Sequence, residues 1–268
     1  MNPFSGIEKR FSQIVDYFFA IRPQPMPSKK RLLNCKIVSH RGEHDNIHIF
    51  ENTIAAFDRA QEQGVWGIEL DVRWTKDLEP VVFHDPDLMR LFGSDLAIRH
   101  ATQSTLRSNY PLIPSLAEVI QRYGFNLHLM VEIKAEDYPN PVRQNQILKE
   151  LFTPLRPQED FHILSLTPAM FKVIDFVPPS TFLPVARLNV SRLSKMAILE
   201  KYRGLAGHYL LVNRVLLTRH QQRHQKVGTG YIASRNCLFR ELNRGVEWIF
   251  SNTAGKIQAI CDSLLQNP

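Results

Sequence analysis

The sequence predicts a (β/α)8 barrel, and three observations carry that expectation. The 268 residues are 44% hydrophobic and 22% charged, which suits one domain with a large core and is an ordinary length for a single barrel. After residue 36, eight short apolar runs follow one another at 37–40, 66–72, 127–133, 160–165, 181–186, 207–212, 226–232 and 247–251. Helical patterns at 51–64, 115–123, 141–152, 168–175, 191–201, 214–224 and 234–244 separate most of them, and strands alternating with helices build a parallel sheet that closes at eight.

Before the barrel, residues 5–20 read as an amphipathic helix, with Ile7, Phe11, Ile14, Val15, Phe18 and Phe19 at helical spacing. The stretch from Arg22 to Pro27 contains three prolines and breaks it, and Ser28-Lys29-Lys30-Arg31 forms a basic tether. Residues 1–34 are therefore expected as a helix and linker in front of a barrel spanning 35–268. The helix either touches a membrane surface or docks on the barrel. Docking is preferred, because acidic residues interrupt the helix and its phenylalanines need cover.

Within the barrel, Ser115 and Ser234 are placed to cap helices, and Pro168 stands at a first helical position. One apolar run, Pro80-Val81-Val82-Phe83-His84, lies too close to the strand at 66–72 for a helical crossover. It reads as a hairpin return, turning at Lys76-Asp77-Leu78-Glu79. With the turn centred between Asp77 and Leu78, Asp71 would face His84. The hairpin then brings His84 to the end of the barrel where strand two finishes, the end at which such barrels do chemistry.

The formal charge of +7 and the isoelectric point near 9.4 would favour anionic partners. There is no Lys/Arg-rich block and no nucleic-acid motif, so a solvated basic surface is the preferred reading and no nucleic-acid partner is expected. No apolar run approaches the roughly 18 residues that cross a bilayer. The opening segment lacks the order of a secretory signal. Cys35, Cys237 and Cys261 give neither a disulfide framework nor a zinc spacing. A cytoplasmic location is expected, with peripheral membrane contact through residues 5–20 as an option.

Glu69 and Asp71 are two apart on a predicted strand, so both side chains share the inner face. Glu132 brings a third inward acid on the next strand, with Lys134 two residues on. Buried acids repel one another and lose hydration, and a divalent cation relieves both costs. Three carboxylates and no thiol suit Mg²⁺ or Ca²⁺. The plainer alternative is a buried ion-pair cluster, Glu69–Lys134 or Asp71–Arg73. His40, after the first strand, and His84, at the hairpin's end, can act as general base and general acid. Arg41 and Lys134 can hold a phosphate.

The run Val38-Ser39-His40-Arg41-Gly42, Glu51-Asn52-Thr53, Ile68-Glu69-Leu70-Asp71-Val72, Thr75-Lys76-Asp77 and Val81-Val82-Phe83-His84-Asp85 resembles the glycerophosphodiester phosphodiesterase family. So do Ile113-Pro114-Ser115-Leu116-Ala117-Glu118-Val119 and Val131-Glu132-Ile133-Lys134. The resemblance covers about residues 36–252 and is densest from 38 to 134. It implies metal ligands Glu69, Asp71 and Glu132, an acid–base pair His40 and His84, and phosphate contacts from Arg41 and Lys134. It implies that Glu51 lies near metal and substrate, and that the reaction releases glycerol 3-phosphate and an alcohol. Leu78 and Glu79 stand where the family has glycine after Thr-Lys-Asp. Tyr231-Ile232-Ala233-Ser234 replaces a Trp-Thr-Val-Asn element, and Ser251-Asn252 replaces Thr-Asp. Tyr231 would then supply the aromatic wall of a wider pocket.

Three other signals are set aside. His40, His44 and His48 recur every four residues but straddle Gly42, and the likeness to a helical metal site is discounted. His220 and His224 are read as a solvated helix face. Gly228-Thr229-Gly230 is too weak for a nucleotide loop. Three functional alternatives stay open: a lysophospholipase D-like hydrolase working on membrane lipid, a non-catalytic metal- or phosphate-binding barrel, and an isomerase or aldolase on the same fold.

Overall fold

Hydrogen bonding closes eight parallel strands into a ring: β1 (Lys36–His40), β2 (Gly67–Trp74), then β4 (His128–Ile133), β5 (Phe161–Ser165), β6 (Phe182–Ala186), β7 (Gly204–His208), β8 (Lys226–Gly230) and β9 (Trp248–Ser251), which pairs back to β1. The short β3 (Pro80–Val82) lies antiparallel on β2. The computed structural model describes residues 17–266, and the ring and its helices are built from these.

The helices are α1 (Lys29–Leu33), α2 (Ile54–Glu62), α3 (Met89–Phe92), α4 (Gln103–Asn109), α5 (Leu116–Tyr123), α6 (Pro141–Phe152), α7 (Val190–Leu199), α8 (Arg214–Gln221), α9 (Arg235–Arg244) and α10 (Ala254–Gln266). Their starts follow from local chemistry. The Thr53, Asn140, Asn213 and Ser234 side chains each accept a first-turn N–H. Ser115 and Glu118 cap α5 reciprocally, satisfying donors that a helix otherwise leaves open.

Strand alternation sorts the side chains. Leu129, Val131 and Ile133 of β4 point outward into the layer between strands and helices. Met130 joins Val38, Leu164, Leu183, Ala206, Trp248 and Phe250 in a plug inside the ring. Residues 80–115 form a satellite beside the barrel around Phe83, Leu88, Ile98 and Leu106.

Four local expectations need correction. The hairpin pairs Val72 with Val82 and Trp74 with Pro80, so its centre is Asp77, and Phe83, not His84, faces Asp71, donating its N–H to the Asp71 carbonyl at 2.9 Å. Leu78 takes the left-handed φ of +62°, and Thr75 closes the loop by bonding both Asp77 and Glu79. The strand expected at 207–212 is Gly204–His208. Its glycines hide it from a hydrophobicity reading, yet a side chain at Gly204 would meet the Lys226 carbonyl at 1.7 Å. The helix expected at 168–175 is a 3-10 turn, Pro168–Val173. Pro178 and Pro179 soon follow, and the residue before a proline is disfavoured in a helix. His220 is buried against the Ser194 hydroxyl at 2.9 Å rather than solvated.

Most of the helix expected over 5–20 lies outside the described residues; residues 17–21 are helical. From there the chain runs down the outside of α9. Asn236, at the helix's start, donates to the Ala20 carbonyl, and Asn243, at its end, donates to Pro25. Phe19 packs edge-on against Tyr209 at 5.5 Å under the Arg240 guanidinium.

At the N-terminal end of the ring two imidazoles meet. His128 Nδ1 bonds the Glu159 carbonyl at 2.9 Å and Nε2 meets His162 Nδ1 at 2.7 Å. A carbonyl only accepts, so His128 carries its proton on Nδ1 and His162 must donate from its own Nδ1. His162 Nε2 is then a buried lone pair without a partner. Trp66 stacks on His128, and Trp248 lies edge-on to His162. Burial pushes His128 down from 6.5 to about 4, and burial with the neighbouring His128 pushes His162 to about 2.

Both rings must stay neutral in the folded chain. Unfolded imidazoles take up protons below about 6.5, whereas the folded His128 resists until about 4. This stability is complete above pH 6.5 and lost as the pH falls towards 4. The loss from His128 alone should be on the order of 3 kcal/mol. Denaturant unfolding from pH 7 to 4 should show the decline, with a shallower slope for His128→Gln.

Candidate active site

The acid cluster follows from register. Asp71 lies beside Glu132 across β2 and β4, and His40 beside Glu69 across β1 and β2. Parallel neighbours in register point the same way, so the three acids gather at the C-terminal mouth. All three are buried, and each offers an oxygen within 4.8 Å of the others. Ligand atoms around an ion at about 2.0–2.6 Å fall within such a span. Burial first, then the charges on Asp71 and Glu132, push the Glu69 carboxyl well above the usual range. The cluster is therefore short of positive charge. With its all-oxygen donor set, it fits a hard divalent ion.

The cations present go mainly to Asp71. Lys134 Nζ lies 2.5 Å from Asp71 and 2.6 Å from Glu132. Arg41 places Nε 3.2 Å from Asp71 and NH1 2.9 Å from Glu51. Against the cost of burial, Lys134 and Arg41 hold Asp71 below its ordinary value. The alternative ion pairs read from the sequence do not form as expected. Lys134 joins Asp71 and Glu132 rather than Glu69, and Arg73 reaches Glu136 at 2.7 Å and the His84 carbonyl at 2.8 Å.

Arg41 is held in place by its surroundings. Its φ is +61°, a conformation uncommon outside glycine. Gly42 follows at +78°, where a side chain would strike the Ala56 backbone at 2.8 Å. Glu51 receives Arg41 and both terminal nitrogens of Arg90, and Asn46 donates to it at 2.8 Å. Burial would raise Glu51, but Arg90, Arg41 and Asn46 outweigh it and hold the carboxylate at about 2. Asn52, at φ +58°, clamps Asp71 from both sides: its amide donates to Oδ2 at 2.8 Å and its oxygen accepts the Asp71 backbone N–H at 3.3 Å.

The two histidines stand at the same mouth with different partners. His84 Nδ1 donates to Asp85 at 2.6 Å, and Arg90 fixes Asp85 in turn. His40 Nδ1 meets the Asn252 side-chain oxygen at 2.6 Å, and its Nε2 lies 3.8 Å from Glu69. Burial, then the adjacent Arg41, pushes His40 down to about 3. With Nδ1 donating in both, each ring keeps a lone pair on Nε2. Tyr231 stands edge-on to His40, ring centres 5.6 Å apart, with about half its surface exposed. His44 turns to the Gly42 carbonyl and His48 to Asp45, in turns rather than a helix.

The fold thus brings His40, Arg41, Glu51, Glu69, Asp71, Glu132, Lys134 and Tyr231 to one mouth, with His84 on the hairpin beside it. Sequence reasoning passed over Asn52, Arg90 and Asn252. Asn52 lies inside the Glu-Asn-Thr run already singled out. Asn252 stands where the resembling family has aspartate. Arg90 carries no local signal.

Known proteins provide an independent comparison. The model of the glycerophosphoryl diester phosphodiesterase family matches residues 40–175. A glycerophosphodiester phosphodiesterase of Caldanaerobacter subterraneus is 33% identical over 127 residues, covering 43% of this chain and 51% of that protein. Human glycerophosphodiester phosphodiesterase 1 is 28% identical over 150 residues, 48% of this chain and 43% of the other. The chain spans about half the length of the curated relatives it matches. Two solved structures share the fold, each with a TM-score of 0.69. A glycerophosphodiester phosphodiesterase of Thermotoga maritima covers 84% of this chain and 98% of its own at 21% identity. An Oleispira antarctica phosphodiesterase, in complex with the product sn-glycerol-3-phosphate, covers 85% and 96% at 22% identity. With more than half its residues matched and the motif residues gathered at one barrel mouth, the chain belongs to the glycerophosphoryl diester phosphodiesterase family.

Proposed function

We propose that this chain hydrolyses glycerophosphodiesters to glycerol 3-phosphate and an alcohol, with one divalent cation, Mg²⁺ or Ca²⁺, held by Glu69, Asp71 and Glu132. The observation that carries this reading is the meeting, at one mouth, of a buried carboxylate trio with two imidazoles that each keep Nε2 for a reacting group. Family membership supports it, as does the sn-glycerol-3-phosphate product bound to a phosphodiesterase of the same fold.

Each residue has a task that its contacts support. Hydrolysis of a phosphodiester removes a proton from the attacking oxygen and delivers one to the departing alcohol, and His40 and His84 share these two steps. Asp85 accepts from His84 Nδ1 and so steadies that ring when it carries charge. Arg41 and Lys134 bind the phosphate oxygens, and Glu51 with Arg90 aims the Arg41 fork. A bound cation would neutralise charge developing on the phosphate and lower the pKa of a hydroxyl or water. Tyr231 walls the pocket beside His40. The enclosed acid trio also favours this reading over a barrel that merely binds phosphate, since basic groups alone would suffice for that.

Two outcomes are expected. Saturating Mg²⁺ or Ca²⁺ should raise the melting temperature by several degrees, because about a hundredfold excess over Kd stabilises by about 2.7 kcal/mol. Glu132→Gln should lose most of that rise while keeping the native circular dichroism spectrum. In a metal-replete assay of several glycerophosphodiesters, ³¹P NMR should detect glycerol 3-phosphate, and His40→Ala or His84→Ala should each lower kcat by roughly 10²–10⁴-fold. Undiminished turnover in either variant would remove that imidazole from the reaction.

A further inference from the structure

The net charge of the chain is concentrated on one side of the barrel. Residues 176–240 hold eleven Lys and Arg against a single acid, Glu200, a formal +10; the rest of the chain holds 22 against 25, a formal −3, which together give +7. These residues build β6 through β8 and helices α7 and α8, and reach into α9. β6, β7 and β8 are neighbours in the ring, so these residues share one sector of the barrel.

Three successive strand-to-helix corners of that sector repeat one composition. After β6 come Arg187 and Leu188, at the start of α8 stand Arg214 and Val215, and after β8 come Tyr231 and Arg235. All six are exposed, Leu188 at 90% and Val215 at 68%. Strand-to-helix corners lie at the C-terminal end of a barrel, so the row borders the mouth, and Tyr231 touches His40. The prefix adds to the row. Asn236 pins Ala20 beside the start of α9, and the neighbouring Tyr17, Phe18 and Ile21 are each at least half exposed. Glu200 ends α7 at the opposite end of the barrel, so no acid from this sector stands among the arginines.

We propose that this part of the rim is a docking surface for a bilayer rich in anionic lipid. Arginine attracts the negative surface of such a membrane, and exposed apolar and aromatic side chains enter its headgroup region. A nucleic-acid site would call for the basic groups without exposed Leu188, Val215, Phe18 and Ile21, and a protein partner for a more continuous apolar face. Docked this way, the mouth opens beside the headgroup layer. The inference goes beyond the reaction proposed above and does not depend on it.

The test is co-sedimentation of the full chain with vesicles of phosphatidylcholine alone and of equimolar phosphatidylcholine and phosphatidylglycerol, at low and high salt. Binding is expected only to the anionic vesicles and should fall with salt. The triple variant Arg187→Glu, Arg214→Glu, Arg235→Glu should bind roughly a hundredfold more weakly or less, since each basic residue at an anionic surface contributes about fivefold. Two of these substitutions put an acid at a helix start, where it is favourable. Leu188→Ser with Val215→Ser keeps every charge and should weaken binding roughly tenfold. Hydrolysis of a water-soluble diester should be unchanged in both variants. Equal binding to both vesicle types, binding unaffected by the triple variant, or tighter binding to duplex DNA than to anionic vesicles would overturn the proposal. Vesicle binding by a chain that hydrolyses no diester would overturn the proposed reaction and leave this surface standing.

Discussion

Three carboxylates withdrawn from water at one barrel mouth are the constraint on which the rest of this structure depends. A barrel interior disfavours an unpaired charge strongly, and three acids within 4.8 Å of one another compound the cost. The chain answers with Lys134 and Arg41, whose own placement requires a further layer. Arg41 needs its left-handed backbone, the close approach of Gly42 to Ala56, and Glu51 behind it. Glu51 is in turn held by Arg90 and Asn46. Charges alternate outward from Asp71 through Arg41 and Glu51 to Arg90, and Arg90 also fixes Asp85 behind His84. One ladder of ion pairs therefore positions both the Arg41 guanidinium and one of the two imidazoles. Glu69 is the member that this ladder leaves least compensated, and its raised pKa marks where a further positive charge belongs.

At the opposite end of the barrel, two buried titratable rings are accommodated as neutral groups. His128 and His162 close the bottom as neutral rings, with the Glu159 carbonyl fixing the tautomer of His128 and His128 Nε2 in turn fixing that of His162. Between the two ends lies an apolar plug around Met130, Leu164 and Trp248. The buried acid cluster thus lies at the mouth, and the bottom serves packing, as is general for this fold.

Much of the site could be read from the sequence because strand alternation is a local rule. Glu69 with Asp71, and Glu132 on the next strand, needed only the period of two, and His40 needed only the end of a strand. The return of His84 was legible as a hairpin, but its register was one residue out. No glycine announces the turn: Leu78 occupies the left-handed position, and Thr75 rather than a standard two-residue turn sets the geometry. β7 was misplaced because Gly204 serves close strand contact and neither it nor Gly207 adds hydrophobicity. The long-range partners were beyond a local reading. Arg90 reaches Glu51 only after the 80–115 excursion has folded back, and Asn252 meets His40 only because the ring closes β9 onto β1. The charge asymmetry can be counted in the sequence, but the row of Arg187, Arg214 and Arg235 needed the fold, which sets three strand-to-helix corners side by side.

The proposed function requires the acid trio to be a cation site and not a self-sufficient ion-pair cluster. Anomalous diffraction from crystals soaked in Mn²⁺, a stand-in for hard divalent ions, tests it most directly. The expected result is one strong peak bonded to carboxylate oxygens of Glu69, Asp71 and Glu132, at about 2.0–2.6 Å. A map with no peak among these residues at saturating Mn²⁺, and Lys134 still closing Asp71 against Glu132, would contradict it.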